Sequence, residues 1–401
     1  MLGGARSRTA SGVGRSSMPR QRQGQHLEHQ PPRGRGADEP EIERPEVTAC
    51  PILPLEALRG IDHPRFGTKA ANLGELCAVL REGSNRLLGF YRIPRPPRKN
   101  LLGYLARHLG VGDASDTTAL ADAAHRLIAE HVRVPRGIAL PFSLQRRFLE
   151  SSPAIQQAIG KLKMALELNA REIDAQCVQL QRLIRAAKLP ADMATEIDNA
   201  IIENLSGTST FVVRSSSNAE DLAGFSAAGI YESVNHVSTA ATVLDSIRQV
   251  WASLVSTRSV RMREQAGISL DDCYMGVIIQ EQVHADYGGV LVSTNPMNRT
   301  DFRNVYVNVS PRSVTEVVSG DRAPLQYLYN TVEGGGRTIS LGASAEDLDT
   351  AAREQLGRLA VISRLLQAHF APDYTFSTPV DIEWAADAEK VSLLQLRPYA
   401  G

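Results

Sequence analysis

Cysteine is scarce in this sequence. Four residues, Cys50, Cys77, Cys177 and Cys273, stand far apart among 401, with no CxxC pair. That spacing excludes a thiolate zinc cage and a disulfide framework, and it makes a reducing cytoplasm the expected compartment. Net charge is also missing, since 44 Lys and Arg balance 44 Asp and Glu. No global field therefore points to nucleic acid or to a membrane surface. Apolar runs long enough to span a bilayer are absent. The nine histidines include no arrangement that reads as catalytic, and His284 reads as a loop residue.

What is present is an apolar fraction of 43%, ordinary for a protein with a real core. The length suits one large domain or two or three lobes. Residues 1–46 differ in being polar, rich in Arg, Ser, Gly, Gln and Pro. They cannot bury enough surface to offset ordering, so a disordered tail is expected. Up to Gln25 the tail lacks acids, faintly like a transit peptide; a dispensable tail is the favoured reading.

From residue 69 the pattern is helical to 80, then again over 101–131, 155–187 and 191–205. A single long helix is expected over 239–266, and another over 348–370. Strands are expected at 211–213, 274–283, 288–296, in "VYVNV", and in a final pair, "PVDIEWA" and "VSLLQLRP". Strands gathered late and packed with helices imply an α+β fold.

Two stretches carry candidate chemistry. "FVVRSSSNAEDLAGFSAAGIYESV", residues 211–234, sets Arg214 directly after a strand. A guanidinium fixed there can grip a phosphate through two parallel hydrogen bonds. Ser215, Ser216 and Ser217 add donors, and Gly224 and Gly229 allow a close loop. An Arg214–Asp221 structural ion pair beside a serine-rich turn accounts for the same letters. In "VDIEW", Asp381 and Glu383 lie two apart on a strand, so they share a face. Gln395 and Arg397 do the same in "LLQLRP". A hairpin would gather two carboxylates, a carboxamide and a guanidinium, a set suited to magnesium and a polyphosphate. An ordinary polar hairpin face is the competing account. Lys69, at the start of a helix, is placed to reach a phosphate, with a solvated surface lysine as the competing account. Gln280 and Glu281, ending an apolar strand, are placed to meet an adenine amino group and a ribose. No GxxxxGK[ST] or usable GxGxxG motif occurs, so any nucleotide must be held by another device.

Taken in order, "GTKAANLGEL", the 211–234 stretch, "VWASLVSTRSV", "MGVIIQEQV", "VSTNP", "VDIEW" and "LLQLRP" resemble the ATP-binding domain of the phosphoenolpyruvate synthase and pyruvate phosphate dikinase family. The resemblance covers about residues 58–398, with some glucan water dikinase-like features such as "ALPF". It implies an ATP-grasp fold, with two lobes around a nucleotide cleft and an added helical subdomain. The lobes are expected at 47–265, including a helical insertion, and at 266–401. It implies Mg·ATP as ligand and cofactor. Lys69, Arg214 and Arg397 would sit on phosphates, with Arg214 and Arg397 in the catalytic role. Gln280 and Glu281 would lie near adenine and ribose. Glu383 and Gln395 would hold magnesium, supported by Asp381. The implied activity is dikinase-type phosphoryl transfer to a phosphohistidine domain on another chain or to an unknown acceptor; the alternative is a non-catalytic nucleotide-binding regulatory module.

Three departures from the family pattern stand out. "GTK" replaces "GGK", "SPRSVTE" at 310–316 replaces a "GLGE" loop, and no "TSHAA"-type histidine segment appears. Proline and arginine at 311–312 restrict that backbone, which bears on turnover more than on nucleotide binding.

Overall fold

The computed structural model describes residues 44–222, 225–226, 229–298, 300–311 and 323–399. The expected tail lies outside these residues up to residue 43, as do Ala223, Gly224 and the altered loop from Arg312 onward. The described residues fall in one compact unit.

The strands, in chain order, begin with β1 (Leu53–Pro54), β2 (Val132–Arg133), β3 (Gly137–Leu140) and β4 (Phe211–Ser217). A short hairpin follows, β5 (Asp221–Leu222) with β6 (Phe225–Ser226), and then β7 (Ser233–Val237). Next come β8 (Met275–Glu281), β9 (Tyr287–Val292), β10 (Asn304–Pro311), β11 (Leu325–Asn330) and β12 (Gly336–Ser340). The last pair is β13 (Val380–Ala386) and β14 (Val391–Pro398). They build a five-stranded sheet in the order β1-β3-β8-β4-β7 and a seven-stranded sheet in the order β12-β11-β10-β9-β13-β14-β2. Two sheets interleaved with helices make the α+β, ATP-grasp-like architecture that the sequence implied.

Neither sheet is a continuous stretch of chain. Strand β8, which follows residue 265, pairs with β3 and β4 in the five-stranded sheet. Strand β2, which precedes residue 265, pairs in parallel with β14 in the other. Besides the helical passage from β1 to β2, the chain therefore passes directly between the sheets at 134–136 and again at 282–286. These crossings lie side by side: the Glu281 amide donates to the Arg136 carbonyl at 2.9 Å.

Each sheet has its own core. Val213, Val277 and Ile279 enter one apolar cluster with the helices Phe142–Glu150, Pro153–Glu167, Ile173–Ala186, Ala191–Asn204 and Ala240–Ser253. These helices are the added subdomain. Trp251 anchors it by stacking on Phe148 at 5.0 Å and donating to the Met275 carbonyl at 3.1 Å. Leu291, Val307, Ile382 and Leu393 enter the other cluster, with the long helix Thr350–Phe370. Ile278 of β8 belongs to this second cluster. The five-stranded sheet thus buries one face on each side, as strand alternation requires.

The long helix expected over 239–266, and the helical runs 101–131 and 155–187, are each two helices. The 101–131 run breaks after Leu102–Leu109 and resumes at Thr117–His131. Gly110 turns left-handed there, and Asp116 caps the second helix by accepting from the Thr118 and Ala119 amides. The 155–187 run breaks between Glu167 and Ile173, where Asn169 adopts a positive φ of 47°. The 239–266 run breaks before Thr257–Gln265, where the extended Ser256 accepts from the Ser259 amide. Strands β1, β2, β5, β6, β7, β11 and β12 were not anticipated.

Candidate functional site

The terminal hairpin has the register that its alternation implies. Asp381 lies opposite Arg397 and Glu383 opposite Gln395, and the pairing slips by one only after Glu383. All four side chains leave one face, and the other face carries Ile382, Trp384, Leu393 and Leu396 into the core. Arg397 donates from both Nε and Nη2 to Asp381 Oδ2, at 3.2 and 3.0 Å.

Arg214 arrives from the other sheet. Its Nη2 donates to Glu383 Oε2 at 3.0 Å and to Gln395 Oε1 at 3.4 Å, and its Nη1 donates to the Leu394 carbonyl. The guanidinium on β4 and the acid–amide pair of the hairpin therefore meet directly. Arg214 makes an ion pair with Glu383, 169 positions away along the chain.

Lys69 joins from the helix Thr68–Glu82. That helix begins at Gly67, whose φ of +84° favours glycine. A Cβ on Gly67 would lie 2.1 Å from the Ser216 carbonyl oxygen, so the turn presses on β4. The Ala70 amide donates to Ser216 Oγ at 3.0 Å, and Asn72 Nδ2 donates to the Leu396 carbonyl at 2.9 Å. One helix end is thus pinned to β4 and to β14. Lys69 Nζ lies 2.5 Å from Glu220 Oε1 and 3.4 Å from Ser215 Oγ. The threonine of "GTK" starts the helix, and the turn rests on Gly67 alone.

Gln280 shares Arg214's face of the five-stranded sheet, because Val212 pairs with Gln280 and Arg214 with Ile278. Its side chain is buried. Nε2 donates to the Pro135 carbonyl at 2.9 Å, while Oε1 accepts nothing. That fixes the free atom of the amide as an acceptor. Glu281 points to the opposite face. Arg136 Nε lies 3.4 Å from one of its oxygens and Arg133 Nη1 lies 3.8 Å from the other. The structure therefore gathers Arg214, Asp381, Glu383, Gln395 and Arg397, holds Lys69 against Glu220 and the neighbouring Ser215, sets Gln280 along Arg214's face, and turns Glu281 toward the crossing between sheets. A cavity of about 820 Å³ lies between helix Thr350–Phe370 and the turn after β13, and none of these eight residues lines it.

Among the described residues, no group of three or more His, Cys, Asp or Glu gathers as a metal cage. One carboxylate and one carboxamide oxygen, at Glu383 and Gln395, nevertheless match what magnesium takes from proteins when phosphates and water complete its shell. The donor set fits that ion. Arg133, Arg136 and Asn72 were not singled out from sequence, because their partners stand far away along the chain.

The family model for the pyruvate phosphate dikinase AMP/ATP-binding domain matches residues 118–401. Among curated proteins, a rifampicin phosphotransferase from Streptomyces sp. is 27% identical over 285 residues, covering 67% of this chain and 32% of its own length. A probable phosphoenolpyruvate synthase from Methanothermobacter thermautotrophicus is 25% identical over 328 residues, covering 75% of this chain and 47% of its own. One from Pyrococcus abyssi is 25% identical over 387 residues, covering 86% and 43%. This chain therefore spans between a third and a half of the length of these relatives. No helix of the described residues is long and apolar enough to cross a membrane. The sheets, the converging side chains and the matched span agree, and the chain belongs to the pyruvate phosphate dikinase AMP/ATP-binding domain family.

Proposed function

We propose that this domain holds Mg·ATP between its two sheets and passes a phosphoryl group to a histidine domain on another chain, or to another acceptor. The observation that carries this reading is Arg214 of one sheet bonded to Glu383 and Gln395 of the other. Carboxylate oxygens and phosphate oxygens are interchangeable partners for a guanidinium fork. A triphosphate entering between the sheets can therefore take over Arg214 and free Glu383.

Lys69, Arg214 and Arg397 would then bind phosphate oxygens, Arg397 being aimed by Asp381. Glu383 and Gln395 would hold magnesium, which when bound neutralises phosphate charge. The acceptor oxygen of Gln280 suits an adenine amino group, a donor. Glu281 would exchange an arginine for a ribose hydroxyl. Phosphoryl transfer needs positioning and charge neutralisation rather than a protein base, which agrees with a site built of cations and acceptors. Four free cysteines suit a reducing cytoplasm.

The test uses Glu383→Gln and Arg397→Ala. The first keeps an acceptor for Arg214 but loses the charge. Each is expected to raise the Kd for Mg·ATP at least tenfold, about 1.4 kcal/mol, with the unligated melting temperature little changed. Calorimetric titration reads the first quantity and thermal melting the second. Undiminished stabilisation by Mg·ATP in both variants would mean the site is misplaced. Conversion of ATP to AMP by the chain, alone or with a histidine-domain protein, tests the transfer.

A further inference from the structure

Strand register carries one more residue onto the acid–amide face. Glu383 of β13 pairs with Val290 of β9, and Val290 pairs with Asn308 of β10. Paired residues share a face, so Gln395, Glu383, Val290 and Asn308 form one rung across four strands. The Asn308 carboxamide oxygen is buried and accepts no hydrogen bond. Native proteins seldom leave such an atom unmet without a use. Its next partner along the rung, Gln326, offers no bond to it.

The rest of the rung narrows what that oxygen is for. Glu383 and Gln395 both present oxygens, and Arg214 is committed to them. An array of acceptors on one face calls for a cation with its water. Two strand spacings put the Asn308 and Glu383 backbones about 10 Å apart, with only Val290 between. That span is long for both side chains to ligate one small ion. It suits an ion that keeps several waters, as magnesium does.

We infer that Asn308 is a positioning residue of the cation site, its carboxamide oxygen accepting a hydrogen bond from a water on the ion that Glu383 and Gln395 hold. The inference rests on the magnesium reading above. It adds a third strand, β10, to the elements that bind the ion.

The test measures Mn²⁺ binding by electron paramagnetic resonance in the presence of a non-hydrolysable ATP analogue. Asn308→Leu removes the oxygen at similar size and is expected to raise the Mn²⁺ Kd about 10-fold or more, the usual effect of losing an outer-shell partner. Asn308→Asp places charge on the same atom and is expected to tighten Mn²⁺ several-fold. Affinity of the analogue without metal stays unchanged in both. Mn²⁺ binding within twofold of the parent in Asn308→Leu, while Glu383→Gln loses it, overturns the inference and leaves the magnesium reading standing. Unchanged binding in Glu383→Gln as well overturns both. If Asn308→Leu does not fold, unchanged Mn²⁺ affinity in Asn308→Asp is sufficient to reject the role.

Discussion

Two buried arginines divide this molecule into a region built to stay shut and a region built to exchange partners. Arg364, on helix Thr350–Phe370, is 2% exposed, and Arg214, on β4, is 8% exposed. Arg364 donates to main-chain carbonyls at Ser293, Phe302 (2.7 Å) and Asn304 (3.1 Å), and lies over the Phe90 ring at 4.3 Å. Burial pushes its pKa down to about 9. Those carbonyls lie in the connection between β9 and β10 and at the first residue of β10, and have nowhere to go. Arg364 also meets the Gln367 carboxamide but, among the described residues, no carboxylate; Arg214 has one main-chain bond, to Leu394, and otherwise faces a carboxylate and a carboxamide side chain that can swing to other partners. Burial alone therefore does not mark a functional arginine; the identity of the acceptors does.

Breaking the closed region should have the largest effect. Arg364→Met leaves several buried carbonyls unmet and is expected to cost about 3–5 kcal/mol in urea unfolding. A loss below about 1 kcal/mol would show that the carbonyl cage does not depend on the guanidinium. Next is the turn that seats the Lys69 helix against β4. Gly67→Ala forces a Cβ onto the Ser216 carbonyl at a positive φ and is expected to cost about 2–3 kcal/mol by the same measurement. Stability within error of the parent would mean the helix can back away without penalty.

Arg214→Lys sharpens the contrast with Arg364. It keeps the charge beside Glu383 but loses the two-pronged fork. Stability should fall by less than about 1 kcal/mol, while the Mg·ATP Kd rises about tenfold in calorimetric titration. A large stability loss with nucleotide affinity intact would reverse the roles assigned to the two arginines.

The smallest expected effect is a pH slope. Glu75 accepts from the Gly60 amide at 3.0 Å and meets His369 at 2.8 Å, joining the Lys69 helix to the helix that carries Arg364. Burial pushes the Glu75 carboxyl up, but the Gly60 N–H and His369 outweigh it, and the group ends below its ordinary 4.5. A depressed carboxyl contributes stability above its unfolded value and loses it as pH falls through the folded one. Glu75→Gln should therefore flatten the decline in melting temperature between about pH 5 and about pH 3. Parallel declines in parent and variant would remove Glu75 from the account.

Much of the site was legible because alternation along a strand is set by the backbone itself. "VDIEW" and "LLQLRP" named their shared face without any tertiary information. Helix ends were less legible. Asp116, Asn169 and Ser256 break runs whose apolar spacing continues past them, so periodicity alone joined what caps divide. The partition into lobes at residue 265 followed chain order, whereas sheet membership follows pairing. Asn308 carried no signal at all, since an asparagine in "VYVNV" is one polar residue among many until register sets it on the same rung as Glu383, across Val290.

The amino-acid order by itself determined which residues each strand presents together and which families of motif recur along the chain. Only the folded structure decided that Arg214 answers Glu383 across 169 positions, and that β8 and β2 change sheets. The reason is physical. Local periodicity follows from covalent geometry, but the choice of distant partners follows from burying two apolar cores at once, and no short stretch of sequence contains both sides of that choice.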